Sequence, residues 1–366
     1  MKLKSLAIKG VAMMLILSGC SSSEKSEKSN DSEVEEIQES TKEKKDESAG
    51  LYLIKIGEKY GYIDKTGKIV INPQFDAVLF SDFAEGLACV GIGNEKDGFK
   101  WGYIDTSCRY VVNLQFEYAE RFSEGMAKVM IGRRYGYIDK TGQYVINPQF
   151  EHIGDFFDGL AVVDIGEKKG YINKKGKIVI NPQFDEAGNF SEGLAMVKIG
   201  GRYGYIDKTG KIVVNPQFDD VRAFCDGLAA VGVGEPWANM KWGYIDKTGQ
   251  YVINPQFDYA EDFSDGLARA AVGELGNMKW GYIDKTGQYV INPQYDTVED
   301  FSEGLARVGV GELGDIKYGY IDKTGKIVIN PQFDDAWFFS DGLAAVWING
   351  EQCYIDKTGK FIYPNK

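Results

Sequence analysis

Trp280-Gly281-Tyr282-Ile283-Asp284-Lys285-Thr286-Gly287-Gln288-Tyr289-Val290-Ile291-Asn292-Pro293-Gln294-Tyr295, followed by Phe301-Ser302-Glu303-Gly304-Leu305-Ala306-Arg307-Val308, is one copy of a unit that fills most of the chain. Asp284-Lys285-Thr286-Gly287 lies between two runs rich in β-branched and aromatic residues. Aspartate at its first position can accept hydrogen bonds from backbone amides ahead of it, and glycine at its fourth can take a positive φ, so the stretch predicts a β-hairpin. Pro293 has no amide to give to a ladder and predicts the end of the second strand. Gly304 to Val308 predicts a third strand.

The word Gly-Tyr-Ile-Asp, or a close variant, begins at Gly61, Gly102, Gly136, Gly170, Gly204, Gly243, Gly281 and Gly319 and returns as Cys353-Tyr354-Ile355-Asp356. Four of the eight steps are 34 residues, and the other four are 38 to 41. A period in this range means stacked or radial units, none of which buries its apolar face alone. Phenylalanine stands three residues before the third-strand glycine in every copy, at Phe83, Phe122, Phe156, Phe190, Phe224, Phe263, Phe301 and Phe339, and alanine recurs from Ala88 to Ala344. A large ring and a small side chain at fixed places suggest a core filler and a close approach of neighbouring units. The reading is an all-β repeat protein of about nine three-stranded units, each a hairpin plus a third strand. Leu51-Tyr52-Leu53-Ile54-Lys55-Ile56 aligns with a third strand whose hairpin is missing, and Tyr354 to Tyr363 is a hairpin with no third strand after it. Together they complete one unit, which favours a propeller-like ring closed by the termini over an open β-solenoid.

The pattern (Trp/Tyr)-Gly-Tyr-Ile-Asp, Gly, Ile-Asn-Pro-Gln-Phe, Phe-Ser-(Glu/Asp)-Gly-Leu-Ala resembles the WG-repeat (KWG-type) proteins of bacteria, from Leu51 to Lys366. The resemblance implies repetitive β modules, commonly on exported proteins, that bind other molecules and share no catalytic residues. Tyr60, Tyr135, Lys169, Tyr203 and Tyr318 replace the tryptophan, which marks a packing position rather than a ligand contact common to every copy.

The first 19 residues hold Lys2, Lys4 and Lys9, the apolar run Val11-Ala12-Met13-Met14-Leu15-Ile16-Leu17, and Ser18-Gly19 before Cys20. The run is too short for a stable span and reads as a cleaved export signal. Leu17-Ser18-Gly19-Cys20 resembles the lipobox of bacterial lipoproteins, which implies a diacylated Cys20 as the first residue of the mature chain. The bland alternative is a general secretory signal with an incidental cysteine. Residues 21–50 are Ser, Glu, Lys and Asp with Val34, Ile37 and Ala49 as their apolar residues, so a disordered tether of roughly 30 Å follows. The expected organisation is a signal peptide over 1–19, the lipidated cysteine and tether over 20–50, and the repeat domain over 51–366. The expected place is the outer side of a bacterial membrane or the envelope.

Composition excludes other classes. The chain has 54 acidic and 42 basic residues, and without residues 1–19 the balance is 54 to 39, which repels phosphate backbones and argues against a nucleic-acid partner. The 45 glycines and 13% aromatics in 366 residues point to turns and strands rather than helices. His152 is the one histidine, so no Ser-His or Cys-His pair serves a recurring site. The acidic pairs Asp219-Asp220, Glu261-Asp262, Glu299-Asp300 and Asp334-Asp335 read as loop-solvating residues, and none is singled out for acid-base hydrolysis. Asp-Lys-Thr-Gly has too few oxygens for calcium, and no metal or cofactor is implied. Cys89, Cys108, Cys225 and Cys353 occupy unrelated places in the unit and read as separate thiols rather than a disulfide framework.

Irregularity points to a binding surface. Three consecutive units carry lengthened loops that include Trp237 and Met240, Leu275 and Met278, and Leu313 and Ile316. Loops on one face could present these as an apolar patch, or each could pack its side chains onto its own sheet. The expected function is a non-enzymatic, membrane-anchored binding module for a protein or peptide partner, with a cell-envelope glycan as the alternative ligand. Cys20→Ala is expected to abolish labelling by a metabolic fatty acid and release the chain from membranes, while residues 51–366 stay folded. A mutant that still takes up label overturns the lipidation reading.

Overall fold

The computed structural model describes residues 50–80, 83–235, 239–274, 276–312 and 314–364, and among them every regular element is a strand or turn. Nine small antiparallel sheets follow one another along the chain and form a nine-bladed β-propeller. Blade 1 comprises β1 (Leu51–Ile56), β2 (Lys59–Asp64) and β3 (Ile69–Phe75). Blade 2 shows the fuller plan, with β4 (Ala77–Val78) innermost, then β5 (Leu87–Asn94), β6 (Gly98–Asp105) and β7 (Tyr110–Phe116). Blades 3 to 9 span residues 118–150, 153–184, 186–218, 220–257, 259–295, 297–333 and 335–363, with four strands in all but blade 4. There the inner strand is reduced to the bridge Ile153↔Val163.

The expected ring is present, with two differences in how its units are built. First, the Gly-Leu-Ala-x-Val strand pairs with the hairpin that follows it, as β5 does with β6, and a short inner strand precedes it. The repeat is therefore four-stranded. β1 accordingly pairs with β2, and the terminal pieces do not share a sheet. They close the ring face to face instead. Tyr52, Ile54 and Ile63 pack with Leu343, Ala345 and Tyr354 in a ninth cluster like the eight between other neighbours. Second, proline does not end its strand. β3 runs through Asn72-Pro73 to Phe75 as the outermost strand, whose far edge needs no donor, and a bulge there arches over Gly61. A Cβ on Gly61 would lie 2.4 Å from the Ile71 carbonyl oxygen, so only glycine fits beneath the bulge.

The Asp-Lys-Thr-Gly turn forms as its chemistry requires. Asp64 Oδ1 accepts from the Thr66 amide and hydroxyl at 2.8 and 2.6 Å, and Gly67 takes φ +84°. The hydroxyl bond, with the amide bonds behind it, holds the Asp64 carboxyl below its usual range.

The tyrosine of Gly-Tyr-Ile-Asp links blade to blade. Tyr62, Tyr103, Tyr137, Tyr171, Tyr205, Tyr244, Tyr282 and Tyr320 are all buried. Each packs against the conserved-position phenylalanine of the next blade, as Tyr244 does on Phe263 with ring centroids 4.8 Å apart. Seven of these hydroxyls, from Tyr103 to Tyr320, also donate to a carbonyl on the next inner strand, as Tyr244 does to Glu261 O at 2.7 Å. A turn latch runs in parallel. Glu85 of blade 2 accepts from the Gly125 amide and pairs with Lys140 at 3.0 Å, both in blade 3.

Tyr244→Phe removes one hydroxyl from a filled site and strands a buried carbonyl, so a loss of about 1–2 kcal/mol is expected. Phe263→Ala empties the socket and is expected to cost about 3–5 kcal/mol. Denaturant unfolding of both variants checks the order, and equal losses would show that the hydroxyl bond and the ring do not contribute separately.

Candidate functional site

The ring is interrupted at one place. The second strand of blades 2 to 9 is covered on its inner side by a strand or bridge, whereas the sheet of blade 1 ends at β1. Among the described residues no strand pairs with the inner edge of β1. Neighbouring residues have adjusted to the gap. Where the other eight units carry alanine after leucine or methionine, β1 carries Tyr52. Its ring lies 5.5 Å from that of Tyr354, taking the role that Phe339 plays against Tyr320 at 4.8 Å. Tyr354 has no next inner strand to hold, and its hydroxyl donates to Leu53 O on β1 itself at 2.7 Å.

Tyr52 and Tyr354 seal the deep part of the seam, and both are buried. Inward of them a cleft of about 760 Å³ remains open beside β1. Leu53, Lys55 and Tyr60 form its blade 1 wall, Val78 and Leu79 come from blade 2, and Trp337, Phe338 and Trp347 from blade 9. Trp337 and Phe338 are 38% and 45% exposed, and the Trp337 indole lies 5.6 Å from that of Trp347. Such large exposed rings around a concave site are what a ligand or partner covers.

The inner ring differs elsewhere. At the places of Trp337-Phe338, blades 3, 6, 7 and 8 carry Glu120-Arg121, Arg222-Ala223, Glu261-Asp262 and Glu299-Asp300, while blade 2, with two extra residues before its phenylalanine, carries Leu79-Phe80 directly after its inner strand. Trp337 and Phe338 on one side of the gap and Leu79 on the other are thus apolar, while Phe80 lies under Arg121 of blade 3, and most of the remaining blades place charged groups there. Arg222 meets Glu261 at 2.9 Å, Arg269 meets Asp300 at 2.8 Å, and Arg307 meets Glu299 at 2.7 Å. Lys128 sits between Glu120 and Asp155 at 3.0 and 3.2 Å. Burial, with Asp155 nearby, pushes the Glu120 carboxyl up.

This geometry sits on a repeat that can be identified. The profile described as WG containing repeat matches residues 60–95, 101–134, 135–168, 170–203, 203–237, 242–275, 280–313 and 318–351. The chain belongs to the WG-repeat family. No curated protein matches this WG-repeat chain. Among solved structures it is similar to Hsv2p of Kluyveromyces lactis, at 8% identity over 61% of this chain and 86% of that one, with a TM-score of 0.40. It is also similar to dipeptidyl peptidase 4 of Porphyromonas gingivalis, at 11% identity over 87% of this chain and 60% of that one, with a TM-score of 0.42.

The other expected site residues fall apart from the cleft. Cys20, Trp237, Leu275 and Leu313 lie outside the described residues. Met240 packs with Trp242 in the core between blades 6 and 7, and its sulfur would stand 2.8 Å from a Cβ on Gly232. Ile316 lies equally close over Gly309, and Met278 is half-buried. Met240 and Ile316 thus turn onto their own sheets. Cys89, Cys225 and Cys353 are buried, and no disulfide links the described cysteines. The cleft went unread in the sequence because a missing strand leaves no motif. Tyr52 at an alanine position and Trp337-Phe338 at a charged one are the signals it leaves.

Burial pushes Asp262 up to about 6, with Arg222 opposing and Glu261 adding to it, and its Oδ1 has no hydrogen-bond partner among the described residues. A carboxyl held up in the folded state costs stability once ionised, and the cost disappears as pH falls from about 6 to about 4. Asp262→Asn is therefore expected to raise the thermal midpoint at pH 7.5, by on the order of 2 kcal/mol of stability, and to match the wild type at pH 4. Melting curves at the two pH values check it, and a lower midpoint at pH 7.5 overturns it.

Proposed function

We propose that this WG-repeat propeller is a non-catalytic binding module for a protein or peptide partner, held at the outer side of a bacterial membrane by a lipidated Cys20. The fold itself supports a binding or scaffold role, and the finer reading rests on one observation: the open cleft at the seam, rimmed by Trp337 and Phe338. Aromatic side chains in a concave, partly desolvated site are typical anchors of protein recognition. Leu53, Val78, Leu79 and Leu343 line the same cleft. An aliphatic lining suits an apolar partner side chain, whereas a sugar needs several polar groups beneath an aromatic ring. Glu351 is the single carboxylate among the lining residues, and acid-base hydrolysis of a glycosidic bond uses two.

Capture from detergent-solubilised envelope, run beside a glycan array, tests this reading. A partner held by the wild-type chain is expected to be lost, by about tenfold or more, with Trp337→Ala combined with Phe338→Ser. Because both side chains lie outside the cores between blades, the melting temperature should stay within about 2 °C. Capture that is indifferent to both substitutions, or binding to a glycan alone, would overturn the assignment of a protein ligand to the cleft.

A further inference from the structure

The cleft stands where seven other blades carry an inner strand and blade 4 carries a bridge. In blade 9 the inner strand donates from Asp334 N to Trp347 O at 2.8 Å, from Trp337 N to Ala345 O at 2.8 Å and from Ser340 N to Leu343 O at 2.9 Å. In blade 3, Glu117 N and Glu120 N bond Met130 O and Lys128 O in the same way. By register, Leu51, Leu53 and Lys55 are the equivalents of Leu343, Ala345 and Trp347. Their main-chain groups face the cleft, and Leu53 O is met there by side chains, Tyr354 and Gln352.

We infer that the inner edge of β1 takes up an extended segment of a partner protein as the missing innermost strand of blade 1, with an aromatic or aliphatic side chain lying against Trp337, Phe338 and Leu79. This rests on the binding role proposed above and specifies its mode, which is strand addition to a sheet edge. The gap interrupts an inner layer that is otherwise continuous from blade 2 to blade 9, so an added strand extends an existing interface. Main-chain pairing supplies affinity without regard to sequence, and the flanking Trp337, Phe338 and Leu79 select the side chain. The chain's own preceding residues do not suit the place. The position three before Gly50 is Glu47, where the eight inner strands have phenylalanine, and residues 21–49 have Val34, Ile37 and Ala49 as their apolar residues. Tyr52 fills the deep phenylalanine socket, so the incoming segment needs no phenylalanine in that register. Tyr354 can then turn its hydroxyl from Leu53 O to a carbonyl of the added strand, as Tyr320 does to Trp337 O.

The probe is a fluorescein-labelled synthetic peptide, Asp-Asp-Ala-Trp-Phe-Ala-Ser-Asp, the sequence of residues 334–341 with alanine in place of Phe339, whose socket Tyr52 fills at the seam. Its anisotropy is followed with the full chain. N-methylation of its tryptophan amide, the donor that faces the neighbouring strand in blade 9, is expected to weaken binding about tenfold or more, and N-methylation of the next amide to have little effect. On the protein side, Lys55→Pro should weaken binding to a similar degree, whereas Lys55→Ala, which keeps the amide, should not. Far-UV circular dichroism verifies that both variants fold. Absence of binding up to about 1 mM, or equal binding of the two methylated peptides, overturns strand addition. Partner capture that depends on Trp337 and Phe338 would leave the binding role standing in that event, whereas capture indifferent to them removes the role as well.

Discussion

Each blade is held to the next by a buried tyrosine that reaches across the gap between sheets. In eight of the nine blades its ring lies against the following phenylalanine, and in seven its hydroxyl closes on the following inner strand. Two demands meet in that side chain. A sheet of three or four short strands buries too little surface to be stable alone, and an inner strand of two residues has too few ladder bonds to stay in place. The tyrosine meets both by joining apolar packing to a hydrogen bond that would otherwise leave a carbonyl orphaned. The glycine beside it follows from the same geometry, because the outer strand arches directly over its backbone.

The turn latches run along the same direction, with an acidic side chain on a positive-φ turn gripping the glycine amide and the lysine of the next blade. Individually such exposed pairs contribute little. Their value lies in orientation, since each fixes one blade's rotation relative to its neighbour and so divides the circle evenly. The first and last sheets meet through a core cluster like those between other neighbours, although a tyrosine stands there for the phenylalanine.

The architecture was legible because every unit repeats the same physical solution. Asp-Lys-Thr-Gly could only be a turn, and a phenylalanine three residues before every Gly-Leu-Ala glycine could only be core. Strand grouping was less visible. Whether Gly-Leu-Ala-x-Val pairs backward or forward depends on which connection is short enough to fold back, and the two-residue inner strands carry no pattern of their own. Asn-Pro misled for a related reason, since proline is excluded from central strands but is at ease in an outermost one. The site was the least legible part. The lengthened loops were prominent, yet Met240 and Ile316 lie over glycines of their own sheets, and the cleft arises from what blade 1 lacks. Tyr52, Leu79-Phe80 and Trp337-Phe338 do register in the sequence, but only once the nine blades are superposed and each position has a norm to depart from.

Tyr52 gives the circle an origin. Eight blades carry alanine where it stands, because the phenylalanine that follows their inner strand fills the socket beyond, and one carries a ring that takes that phenylalanine's place. Joining the present ends and cutting the chain between two other blades would therefore not be neutral. The new first sheet would have alanine facing an empty socket, while the old seam would hold a tyrosine in the socket that a supplied unit's phenylalanine would need. A circle of near-identical parts thus has a preferred point of entry, written in a single side chain.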